Sequence, residues 1–210
     1  MTDDIILREA CVENLYQAIS AEKNGAARLE LCMDLSVGGL SPDTGLLRSV
    51  LELCQIPVMV MVRPRGGNFV FSDEEFEQML HDVDTFNGLG CHGIVSGILK
   101  PDNTVDVERT RLLRDRAGEL DFTFHKAFDL TPDKEKALED VIASGANHLL
   151  TSGGAETAVN GLKELNRLHE QANGRITILA AGNITSRNLP DLMKQTDIHE
   201  FHGRKIVEVN

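Results

Sequence analysis

The chain has 210 residues, 41% of them hydrophobic, which is enough for one substantial core and predicts one domain over 1–210. A formal net charge of −12 speaks against non-specific binding to nucleic acid or to an anionic membrane, because each needs a positive field. The longest strongly apolar run, Ile56 to Val62, is far shorter than the roughly 20 residues of a membrane helix.

The first residues, "MTDDII", are acidic where a secretory signal is basic, so a cytoplasmic location is expected. A β-rich run over 5–12 places Glu9 and Cys11 on one face, and Leu15, Ala18 and Ile19 then take up helical spacing. The phrase "NGAARLEL" supplies a glycine cap and leads into a second strand, 28–33. There Arg28, Glu30 and Cys32 alternate with Leu29, Leu31 and Met33. The helix start "SPDTG" precedes Leu46, Val50, Leu51 and Leu53. The third strand, 56–63, aligns Met61 with Arg63 and, beyond it, Arg65. "SDEE" then opens a helix on Phe76, Met79, Leu80 and Val83. A fourth strand covers 91–98. The fifth, 121–128, sets Thr123 and His125, with Asp129 beyond, opposite Phe122, Phe124 and Phe128, and puts Lys126 on the outward register. "TPDKEK" begins the helix of Ala137, Leu138, Val141 and Ile142, which ends in "SGANHLL". Strands at 147–152, 175–181 and 197–202 complete the series, the last with Glu200 and His202 facing inward in one register or His199 in the other. The closing "GRKIVEVN" is too short for a full covering helix.

Eight alternating strand and helix units predict an α/β fold, a compact TIM-type (β/α)8 barrel without a full eighth helix. No G-x-G-x-x-G follows the first strand, which removes the best sign of a dinucleotide fold. In a barrel, helices cover the outside, so the polar faces point to the interior and to the mouth at the strands' carboxyl ends. The inward set is Glu9, Arg28, Glu30, Arg63, His125, Thr151, and Glu200 with His202 or else His199. Asp129 is expected to pair with Arg63 or Arg65 where its strand ends.

Several phrases resemble, in order and spacing, the motifs of the CutC copper-homeostasis family: "RLELCMDLSVGGLSPDTG", "MVRPRGGNFVFSDEE", "FTFHKAFD" and "LLTSGG". The resemblance runs from Glu9 to His202. It implies a TIM barrel, a cytoplasmic location, a homo-oligomer (dimer or larger) and an association with copper tolerance or Cu(I) binding. The chain departs from the family pattern at Lys126, where the family usually reads arginine ("TFHRAFD"), and at Ala180-Ala181-Gly182-Asn183, where it usually reads a glycine-rich stretch. It also ends soon after the last strand, so a partner copy is expected over the outside of that strand.

Two classes of function stay open. One is a Cu(I) site on Cys11 and Cys32, which lie on neighbouring strands about 4.8 Å apart with Met61 on the next, since Cu(I) favours sulfur ligands. The other is an enzyme acting on a small phosphate- or carboxylate-bearing metabolite. Its anion contacts would come from Arg28, Arg63, Arg65, Thr151, Ser152, Gly153, Gly182, Asn183 and His202, and its acid–base chemistry from His125 with Glu9 or Glu30, near Asp129. Glu9, Glu30, His125 and His202 offer, alternatively, a site for a hard or borderline divalent ion.

Overall fold

A computed structural model describes residues 6–208. Eight parallel strands close on themselves in sequence order. They are β1 (Leu7–Val12), β2 (Arg28–Leu31), β3 (Val58–Met61), β4 (Gly93–Ser96), β5 (Asp121–Phe124), β6 (His148–Thr151), β7 (Thr177–Ala180) and β8 (Glu200–Gly203). The helices α1 (Leu15–Lys23), α2 (Thr44–Leu53), α3 (Asp73–Leu89), α4 (Val107–Ala117), α5 (Lys134–Ala143), α6 (Ala158–Ala172) and α7 (Leu189–Met193) follow β1 to β7 in turn. Short 3-10 turns occupy Leu35–Val37 and Lys126–Leu130, and no helix follows β8 among the described residues. This is the TIM-type barrel that the alternation predicts.

Local chemistry starts and stops these elements where the sequence reading places them. Asn14, Asp43, Ser72 and Asp133 each accept a backbone N–H in the first turn of α1, α2, α3 and α5, and Ser72 with Glu75 forms a full capping box. Gly25, Gly90 and Gly145 take left-handed φ of 88°, 85° and 88° at the ends of α1, α3 and α5, the conformation that the three glycine phrases require.

The two faces of the strands have different fates. Leu29, Leu31, Val58, Val60, Ile94, Phe122, Phe124, Leu149, Ile178 and Phe201 join one large core between barrel and helices. The inward residues form two small separate clusters, Cys11, Cys32, Met59, Met61 and Val95 on one side and Leu150, Leu179 and Ala181 on the other. Glycine at 93 makes the first cluster possible, because a Cβ there would lie 2.1 Å from the Met59 methyl. Since Leu150 is inside, its neighbour Thr151 faces outward, which corrects its expected place in the inward set. In β8 the inward residues are Glu200 and His202, so the His199 register is excluded.

Gly161 of α6 abuts the main chain of the loop after β6, and a Cβ on it would stand 1.9 Å from the Ser152 carbonyl oxygen. Gly161→Ala ordinarily favours a helix, yet here it should lower stability by about 2 kcal/mol or more, since a backbone atom has to move. Urea unfolding with an unchanged midpoint would refute this contact.

Candidate functional site

Strand register brings the inward polar residues together before any side-chain detail enters. Glu9 lies beside Arg28 and Cys11 beside Glu30 across β1 and β2, while Glu9 lies beside His202 across β1 and β8. Partners in a parallel register share a face, so five side chains from three neighbouring strands point into one space. All five are buried.

Their contacts form a continuous chain through the barrel. His148 Nε2 is 3.7 Å from Glu200 Oε2, which accepts from Arg28 Nη2 at 2.7 Å. Arg28 Nε donates to Glu9 Oε2, and the other Glu9 oxygen is 2.8 Å from His202 Nδ1. His202 Nε2 lies 4.0 Å from Glu30 Oε1. That same oxygen accepts from Cys11 Sγ at 3.3 Å, and Cys11 Sγ is 3.8 Å from Cys32 Sγ. Glu30 Oε2 is buried without a hydrogen-bond partner.

The electrostatics arise from these distances. Burial pushes the Glu9 carboxyl up, but the hydrogen bond from His202 and the charge of Arg28 outweigh it and hold Glu9 down at about 2. Burial raises the pKa of Glu30 and outweighs the opposing charge of His202. Burial alone would lower His202, but the Glu30 and Glu9 carboxylates raise it. The neighbouring Cys32 thiol, burial and the Glu30 charge together push the Cys11 thiol well above the ordinary range.

Cys11 and His202 are the members of this chain that reach a cleft of about 1230 Å³ at the barrel mouth. Its sides carry Lys126, Gly182, Asn183, Arg187, Arg204 and Lys205. Gly182 and Asn183, both expected as ligand contacts, take positive φ and line this cleft. Arg204 and Lys205 went unrecognised there, although a barrel's loop after β8 belongs to the mouth as much as the others do.

Other expected site residues have different partners. Arg63 donates to the carbonyls of Val37, Gly39 and Gly67 and stacks 4.5 Å over Phe69, which makes it a clamp between the loops after β2 and β3. Arg65 is bound to Glu75 and to the carbonyls of Gly66, Asn68 and Val70. Neither arginine meets Asp129, which instead accepts from Lys126 Nζ, from Thr151 Oγ1 at 2.5 Å and from the amides of Ser152 and Gly154. The Gly153 amide donates to Thr151 Oγ1 at 2.9 Å, and the Ser152 hydroxyl is held by Lys126, Asp129 and the Ala155 carbonyl. The residues Thr151 to Gly154 after β6 are thus tied to the loop after β5, while Glu156 farther along the same loop lines the cleft. Lys126, expected on the outward register, lines the cleft because β5 ends at Phe124 and a 3-10 turn redirects the chain from Lys126 onward.

His125 caps that turn, its Nδ1 accepting from the Ala127 amide at 3.3 Å. Its ring lies edge-on to Phe69, and its Nε2 is buried without a partner. Burial and the Arg63 charge push its pKa down to about 3, so it is a neutral packing residue near neutral pH. No hydrogen bond or ion pair joins it to Glu9 or Glu30 among the described residues, which separates it from the acid–base group expected from the sequence.

Comparison with known proteins places this barrel. The model of the CutC family matches residues 6–207. A CutC family protein of Xylella fastidiosa is 43% identical over 195 residues, 93% of this chain and 73% of that protein. The human copper homeostasis protein cutC homolog is 43% identical over 196 residues, 93% of this chain and 72% of the relative. The solved structure of CutC from Streptococcus agalactiae superposes with a TM-score of 0.91 at 35% identity, over 97% of this chain and all of that one. An aldolase structure shares the fold at a TM-score of 0.72 and 14% identity.

The displaced pKa of His125 bears on stability. The unfolded chain takes up a proton at His125 as the pH falls below 6.5, while the folded chain does so only near 3, so stability is lost across that window. His125→Asn, which retains a side-chain acceptor for the Ala127 amide, should flatten the fall in the urea midpoint between pH 7 and pH 5. An acid slope identical to that of the wild type would show that His125 titrates normally.

Proposed function

The chain belongs to the CutC family, and from that footing we propose that it binds one Cu(I) ion on Cys11 and Cys32 at the floor of the barrel mouth. The observation that carries this reading is the pair of thiol sulfurs 3.8 Å apart on adjacent strands. Cu(I) favours thiolate and thioether donors, and the two cysteines share their buried cluster with Met59 and Met61. Cys11 reaches the cleft and supplies the route of entry. Glu30, 3.3 Å from Cys11 Sγ, is placed to take the proton that the thiol sheds when the ion arrives and pass it on to solvent. Four free cysteines fit the reducing cytoplasm, where copper is held as Cu(I).

Anaerobic Cu(I) titration against a competing chelator tests the site. One equivalent should bind the wild type, and Cys11→Ser/Cys32→Ser should lose it; equal weak uptake by both proteins overturns the reading. Each ligand thiol that releases its proton to solvent makes affinity rise about tenfold per pH unit, and Cys11, held above its ordinary pKa, contributes one such factor throughout pH 6 to 8. Affinity that is flat with pH would mean that Cys11 is not a ligand.

A second reading, an enzyme or binding protein for a small phosphate- or carboxylate-bearing metabolite, is favoured by the wall of the cleft. Four cations, Lys126, Arg187, Arg204 and Lys205, line it against two carboxylates, Glu156 and Glu208, in a chain whose net charge is −12. Lys126 Nζ also contacts Asp129 and the Ser152 hydroxyl, so the cation is held in place at the mouth. A ligand at about a hundred times its Kd stabilises the folded state by about 2.7 kcal/mol, which a thermal-shift panel of phosphate and carboxylate metabolites detects. Lys126→Ala should remove most of that shift. No stabilisation by any compound of the panel would sink this second reading.

A further inference from the structure

We infer that Glu9, Glu30 and His202 form a site for a hard divalent cation of the Mn2+ class at the floor of the barrel mouth. The site uses neither Cys11 nor Cys32, so it stands apart from the proposed Cu(I) pair.

The first argument is convergence. The three residues come from the adjacent strands β1, β2 and β8, and all three are buried. Each offers one donor atom, a carboxylate oxygen or an imidazole nitrogen, and these three atoms lie within 4.8 Å of one another. Oxygen ligands stand about 2.1 Å from Mg2+ and about 2.3–2.6 Å from Ca2+, so an ion of intermediate size reaches all three donors after small side-chain shifts. Arg28 leaves the site open, because it holds Glu9 through Oε2 while Oε1 faces His202 at 2.8 Å. His202 Nε2 stands 4.0 Å from Glu30 Oε1, too far for a hydrogen bond.

The second argument is charge. In this network the carboxylates of Glu9, Glu30 and Glu200 are set against a single guanidinium, that of Arg28. When all three are ionised, two negative charges stay unmatched, which is the charge that one divalent cation neutralises. Without an ion that balance falls to protons on Glu30 and His202. Glu30 Oε2 is moreover buried without a hydrogen-bond partner, a cost that a cation beside the carboxylate removes.

The third argument is access and donor type. His202 lines the cleft, and Glu9 and Glu30 lie behind it, so an ion enters past the imidazole and keeps water on its open side. Two carboxylate oxygens and one imidazole nitrogen, with no thiolate among them, suit a hard ion better than Cu(I), which favours sulfur. Zn2+ takes thiolate ligands readily and would be drawn to the nearby cysteines, whereas Mn2+ prefers oxygen and reports on this site alone.

Titration of the reduced full-length chain with Mn2+, read from the electron paramagnetic resonance signal of the free ion, tests the site. The wild type should bind one equivalent, and Cys11→Ser/Cys32→Ser should keep that affinity within about threefold. Glu30→Gln and His202→Gln, each checked for folding by circular dichroism, should weaken it by more than the roughly ten- to a hundredfold that loss of an outer-shell partner costs. Cu(I) uptake should show the opposite pattern, lost in the cysteine variant and kept in His202→Gln, so either reading can fail while the other stands. Electron spin-echo modulation on Mn2+ bound to the wild type needs no variant and should show coupling to one histidine nitrogen. No Mn2+ uptake by the wild type, uptake lost with the two cysteines, affinity untouched by Glu30→Gln and His202→Gln, or absence of the nitrogen coupling would each overturn the inference.

Discussion

The contact on which the interior depends is the buried pair of Arg28 and Glu9 across β1 and β2. Each of these ions would cost several kcal/mol alone in the barrel, and each is offset only by holding a second partner, Glu200 for the arginine and His202 for the carboxylate. The pair therefore does more than compensate two charges. It ties β1, β2 and β8 together in one register, at the seam where the first and last strands close the barrel. A one-residue slip would turn every member to the outside. The same contacts fix the imidazole of His202 and set its Nε2 4.0 Å from Glu30 Oε1.

An interior divided by this polar chain explains the packing around it. A barrel of this size is normally filled by layers of branched apolar side chains. Here the inward apolar residues are parted into two clusters, one rich in sulfur and one aliphatic, with the charged chain among them. The outward faces of the same strands build the large common core with the helices. Stability and chemistry are in this way assigned to opposite faces of the strands. The loops after β2, β3, β5 and β6 are held by their own ionic clamps, Arg63 and Arg65 on one side and Lys126 with Asp129 on the other.

The fold was legible in the sequence because it rests on signals with a short range. Glycine caps, N-cap residues and eight β-rich runs mark the βα units one by one, and their number alone suggests closure. The site was legible where alternation holds through the whole strand, as in β1 and β2, whose inward faces carry Glu9, Cys11, Arg28 and Glu30. It was illegible where a strand stops early. β3 ends at Met61 and β5 at Phe124, so Arg63, Arg65, Lys126 and Asp129 lie beyond the reach of a two-residue period. In β6 the run "HLLT" places leucine on both faces, and nothing local distinguishes inward Leu150 from outward Leu149.

The position of Lys126 shows how much such a boundary decides. Continued as a strand, "FTFHKAFD" would send the lysine out among the helices and keep His125 and Asp129 at the mouth. The 3-10 turn reverses those roles. His125 becomes the cap of the turn, buried and neutral, Asp129 gathers the hydroxyls and amides of the next loop, and the lysine reaches the cleft. The arginine common in the family would bring a planar, five-donor fork to the same place, whereas the lysine makes two point contacts, to Asp129 and to Ser152. The cation at the mouth is therefore kept, and its ability to grip an anion with two parallel hydrogen bonds is lost. Arg187 and Arg204 stand with Lys126 among the residues that line the cleft, and Cys11 and His202 line it too.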